Sequence, residues 1–80
     1  MTVTAKVLRG YGGKDDLRIF RNGQTTDIIS IDRTYYGREW CEKHGMVITE
    51  TVEADSGEMF EIWRLERRMV CAIPVKKGGS

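Results

Sequence analysis

The tetrapeptide Arg21-Asn22-Gly23-Gln24 constrains this chain more than any other stretch. Asn-Gly accepts positive φ at both central positions of a type I′ turn, the tight link between two antiparallel strands. The flanks agree, because residues 16–21 and 24–31 both read as strands. A two-residue loop sets Arg21 opposite Gln24, Phe20 opposite Thr25, Arg18 opposite Asp27 and Leu17 opposite Ile28. That register predicts an Arg18–Asp27 cross-strand pair and puts Leu17, Ile19 and Ile28 on one face.

A second hairpin follows at Ala54-Asp55-Ser56-Gly57-Glu58, which suits a type I turn closed by a left-handed glycine. Its strands are residues 46–54 and 58–65. Val52 then faces Phe60, Glu50 faces Ile62 and Ile48 faces Arg64, while Val47, Met59, Trp63 and Leu65 fall on the other side. Both faces of this hairpin are therefore apolar. A further strand is expected over 68–75 and an opening one over 2–8.

Between the hairpins lies the one helix, predicted over 33–44. Asp32 is its expected N-cap and Gly45 its left-handed C-cap, with Met46 supplying the apolar contact that follows. Tyr36, Gly37, Trp40, Cys41 and His44 share a stripe at helical spacing. The order is β-β-β-α-β-β-β. It predicts an α+β fold, a small and mainly antiparallel sheet with one helix packed on one face.

Length limits what such a fold can do. Eighty residues make one domain, expected over 1–75, with a flexible tail at 76–80. A domain of this size buries only about 60–65% of its unfolded surface. A pocket of ~300 Å³ would consume much of that core, which argues against an enzyme unless a homo-oligomer builds a site between subunits. Charged residues make up 31% of the chain and no apolar run approaches membrane length. A cytoplasmic protein with no membrane partner is expected.

Three constellations could carry chemistry. Cys41 and His44, three apart on the helix, would form a Cys–His pair or half a metal site, with Cys71 as a third ligand. One histidine and no CxxC are too few, so neither metal, cofactor nor catalytic residue is expected, and both thiols should be free. The loop from Arg9 to Lys14 is glycine-rich and ends in lysine. It lacks the fuller phosphate-binding pattern, and Asp15 and Asp16 follow it. It reads as a connection in which Arg9, Tyr11 and Lys14 could touch nucleic acid. The acids of the second hairpin are scattered, and nothing in the sequence puts them in a cleft.

Charge is segregated along the chain: +3 over 1–38, −6 over 39–63 and +4 over 64–80. Segregation of this kind suits a partner recognised by electrostatic complementarity. If the helix covers Val52, Phe60 and Ile62, then Trp63 and Met59 are left as an apolar interface patch. The other arrangement puts the helix over Trp63. The leading expectation is a small non-enzymatic binding protein that occupies a protein or nucleoprotein partner through Glu53, Asp55, Glu58, Met59, Glu61 and Trp63. The size class is that of phage and mobile-element inhibitors of bacterial defence, such as anti-CRISPR proteins. The second expectation is a nucleic-acid-binding module using Arg18, Arg21, Arg64, Arg67 and Arg68 against phosphates. A net charge of +1 weighs against it.

Overall fold

A computed structural model describes residues 2–33 and 37–75. It is mostly antiparallel β with one helix. The elements are β1 (Val3–Arg9), a single 3-10 turn (Tyr11–Gly13), β2 (Asp15–Arg21), β3 (Gln24–Ser30), α1 (Gly37–Lys43), β4 (Val47–Glu53), β5 (Met59–Leu65) and β6 (Met69–Pro74). The expected tail at 76–80 lies outside the described residues.

The strands form two three-stranded sheets rather than one, β1-β2-β3 and β4-β5-β6. The reason lies in β5, where Phe60 and Ile62 point one way and Trp63 and Leu65 the other. One helix can cover only one of these faces. The first sheet covers the other, in a core of Leu17, Ile19, Ile29, Val52, Phe60 and Ile62. Alanines stand where the sheets converge. Ala5 bridges Ala54 and Ile31 bridges Ala72, both in parallel pairing. Small side chains let the two backbones approach at these seams.

Each hairpin carries a bulge that the sequence reading missed. Arg21 pairs with Gln24 and Phe20 with Thr25 as expected, and Asn22 and Gly23 both have positive φ. Beyond Phe20 the register slips by one, so Ile19 faces Asp27, Arg18 faces Ile28 and Leu17 faces Ile29. The expected Arg18–Asp27 pair is therefore absent, Ile29 takes the core position, and Ile28 is 58% exposed. In the second hairpin Val52 faces Phe60 and Glu50 faces Ile62 as expected, but Ile48 faces Trp63 instead of Arg64. A threonine sits at each bulge. Thr26 donates its hydroxyl to the Ile19 carbonyl at 3.4 Å and Thr49 donates to the Ile62 carbonyl at 3.2 Å. Each hydroxyl satisfies an acceptor on the facing strand where the ladder is disturbed.

The helix packs on the outer face of the second sheet. Cys41, Met46, Trp63 and Ile73 form a second cluster there, flanked by Trp40, Leu65 and Cys71. Its C-terminus is a Schellman motif, in which Met46 N–H donates to Cys41 O at 2.9 Å and Gly45 N–H to Glu42 O at 3.2 Å. Gly45 has φ +79, as its expected capping role requires. The other end differs from expectation. Arg33, expected inside the helix, is not helical, and Asp32 N–H donates to the Ala72 carbonyl at 3.0 Å, while the backbone that an Asp32 cap would bond falls on 34–36, outside the described residues. Tyr36 lies outside the described residues. His44 is exposed and off the buried stripe. It stacks on Trp40 with ring centroids 4.0 Å apart.

Candidate functional site

Apolar side chains of both sheets pack together in the interior among the described residues. Along β2, Asp15, Leu17, Ile19 and Arg21 alternate toward the core. Leading into and along β5, Glu58, Phe60, Ile62 and Arg64 do the same. The middle positions are apolar and buried, and the outer positions close the two ends. At one end Arg21 donates to Glu50 through both terminal guanidinium nitrogens and lies 3.7 Å from Asp27, which also meets Arg64 at 3.4 Å. At the other end Arg33 meets Glu58 at 2.7 Å and Asp15 at 3.5 Å, and its guanidinium lies 5.9 Å from the Phe60 ring centre. The hydrogen bonds to Glu50 and Glu58 raise the pKa of Arg21 and Arg33 and outweigh the desolvation that opposes them. The same contact with Arg33 lowers the pKa of Glu58.

Cys41 and Cys71 are close neighbours under the helix, and both are free. Burial, reinforced by Cys71, pushes the Cys41 thiol up to about 11. Burial raises Cys71 as well. Near neutral pH Cys41 is thus a protonated thiol, which is not the nucleophilic form. His44 turns its Nδ1 to the Trp40 carbonyl at 2.9 Å. Among the described residues no three His, Cys, Asp or Glu side chains converge as a metal site would require. A shallow, open concavity is lined by Arg9, Gly10 and Tyr11.

The surface residues singled out from the sequence fall into separate places. Glu53 and Met59 are cross-strand partners on the outer face of β4–β5, and Glu61 is next on that face. Asp55 is exposed on the turn above them. Trp63 is buried beneath the helix at 4% exposure and donates its Nε1–H to Glu61 at 3.1 Å. Glu61 also lies 3.7 Å from Arg38. Glu58 points to the core side and is held by Arg33. Glu53 and Asp55 make no ion pair among the described residues and flank the half-buried Met59.

The arginines divide similarly. Arg21 and Arg64 are engaged at one end of the core. Arg67 and Arg68 are exposed on the β5–β6 turn. Arg18 stands apart on the outer face of the first sheet, opposite Lys6 and Ile28. No family model, curated protein or solved structure matches this chain.

The sequence reading missed the end-closing role of Arg33, Asp15 and Glu50. The signal was present as acid–apolar–apolar–arginine at alternate positions, 15-17-19-21 and again 58-60-62-64. It also missed the outer face of the first sheet, where Lys6, Arg18, Phe20 and Ile28 gather.

Proposed function

We propose that this chain is a small non-enzymatic binding protein that occupies the surface of a macromolecular partner through the outer face of the β4–β5 hairpin. One observation carries the reading. Glu53 and Asp55, exposed and unpaired among the described residues, flank half-buried Met59 at the turn end of the face on which the helix also packs, with Glu61 between them and the helix. A desolvated Met supplies adaptable contact area, and acids around it steer a basic surface. The closed apolar core and the protonated Cys41 support a binding role over chemistry. A basic protein or nucleoprotein surface is the matching partner. The finer reading is an α+β domain acting in the cytoplasm as an inhibitor of the anti-CRISPR kind, carried by size and charge alone. No helix among the described residues is long and apolar enough to cross a membrane.

The test compares wild type, Glu53→Lys with Asp55→Lys, and Arg67→Glu with Arg68→Glu as baits in quantitative capture from nuclease-treated bacterial lysate. All four side chains are exposed, so each bait keeps its fold. The expected result is a basic protein held by wild type and by the arginine reversals but lost by the acid reversals. Its association with wild type should slow as salt rises. A capture that survives the acid reversals, or wild type holding nothing they lose, overturns the reading.

A further inference from the structure

The outer face of the first sheet lies opposite the acidic hairpin, on the other side of the core. The helix packs on the second sheet and leaves this face open. Lys6, Arg18 and Ile28 form one cross-strand row, and half-buried Phe20 stands beside Arg18. The face continues into the β1–β2 loop, where Tyr11 is 100% exposed. The loop is closed on itself by Gly10 N–H to Lys14 O at 2.9 Å and Lys14 N–H to Tyr11 O at 3.3 Å. Tyr11 is therefore presented by an ordered turn, which lowers the entropy lost on binding.

The cations of this face are unpaired, as are Lys43, Arg67 and Arg68 among the described residues, whereas four arginines elsewhere are engaged. Arg21, Arg33, Arg38 and Arg64 all meet carboxylates. Lys6, Arg9, Lys14 and Arg18 meet none among the described residues. Asp16 is the acid on this face, since Asp15 turns inward to Arg33. The Nε of Arg18 is buried without a hydrogen-bond partner, the one such side-chain nitrogen or oxygen among the described residues. An orphaned donor of this kind calls for an acceptor. Lys6 and Arg18 pair across β1 and β2, and Lys14 follows at the end of the β1–β2 loop, so these cations run along the face rather than meeting at a point, whereas Arg9, paired with inward-turned Asp15, lies on the other side of the strand.

We propose that this face binds single-stranded nucleic acid, with Lys6, Lys14 and Arg18 on phosphates and with Tyr11 and Phe20 as stacking platforms. Free cations interleaved with aromatic faces on an open sheet suit a single strand, whose bases are available to stack. A duplex hides those base faces. This goes beyond the function proposed above and uses none of its residues.

The test is fluorescence anisotropy of a labelled oligothymidylate with the full chain, beside a duplex of matched length and labelled polyglutamate. Wild type should bind the single strand most tightly. With three phosphates engaged, affinity should fall about 20-fold between 50 and 200 mM salt. Tyr11→Ala should weaken binding roughly 5- to 150-fold, the effect of one stacked base. Lys6→Glu with Arg18→Glu should remove it. Lys6→Glu with Lys14→Glu, both exposed, should remove most of it without touching half-buried Arg18. Glu53→Lys with Asp55→Lys should leave it intact or tighten it, which separates this face from the acidic hairpin. Absence of binding, equal binding to polyglutamate, or indifference to Tyr11→Ala overturns the proposal.

Discussion

Arg33 and Glu58 meet through two hydrogen bonds, of 2.7 and 3.2 Å, across the gap between the segment leaving β3 and the turn entering β5. The contact lowers the pKa of Glu58 below its usual range. A depressed carboxyl contributes stability that is fully present above its unfolded value, about 4.3. That contribution is lost as pH falls below this value and through the folded one. Glu58→Gln should therefore lower Tm at pH 7 and narrow the Tm difference between pH 7 and pH 3. Thermal melts at the two pH values check it, and an unchanged difference would mean the bridge is solvated away.

Trp63 belongs to the fold, held between the helix and β6. Trp63→Ala should destabilise the protein by about 3–5 kcal/mol, as removal of a large buried aromatic does. Trp63→Phe should lose far less. In urea titration followed by far-UV circular dichroism, the alanine variant should be largely unfolded before denaturant is added.

Gly45 ends the helix with φ +79, and Gly23 completes the first hairpin turn with φ +81. A β-branched side chain is strained at either position. Gly45→Val and Gly23→Val should each lower stability by about 1 kcal/mol or more. Unchanged melting of either variant would contradict the backbone conformation described here.

Thr49 bonds the Ile62 carbonyl at the bulge in β4. Thr49→Val keeps the shape and removes the donor, at a loss of about 1 kcal/mol. Thr26→Val, whose bond is longer at 3.4 Å, should lose less. Chemical denaturation of the two variants gives the ordering.

Cys41, with its thiol pushed up to about 11, should resist alkylation at pH 8 in the native protein. It should react at an ordinary rate only in denaturant. Thiol counting with iodoacetamide, native against unfolded, provides the measurement. Rapid native reaction at Cys41 would show an accessible thiolate and return Cys41 and His44 to consideration as a site.

Local signals located most elements. Asn22-Gly23, Gly57 and Gly45 mark reversals and a helix end that depend on backbone conformations few other residues adopt. Alternation along 16–21 and 58–65 marked the central strands. The bulges were not legible, because the threonines that stabilise them look like ordinary strand residues. One extra residue per hairpin then moved Ile28 outward and brought Ile29 in. The start of the helix was also misjudged. Arg33, expected in the first turn, is not helical and pairs instead with Glu58 and Asp15 at one end of the core. Of the acidic site, Glu53, Asp55 and Met59 lie together, whereas Glu58 is drawn inward by a partner twenty-five residues earlier in the chain.

The sequence by itself determined where this chain turns, which residues alternate and how charge is shared among its segments, since these depend on neighbours a few residues apart. Tertiary structure decided which of two apolar faces each element covers. Six strands with apolar groups on both sides of β5 can close around a core as one curled sheet or as two sheets facing each other. The choice rests on contacts between residues far apart in the chain, Ala5 with Ala54 and Ile31 with Ala72. It also rests on the ion pairs that close each end of the interior. Those contacts buried Trp63, left Glu53 and Asp55 on one side, and turned Lys6 and Arg18 to the other.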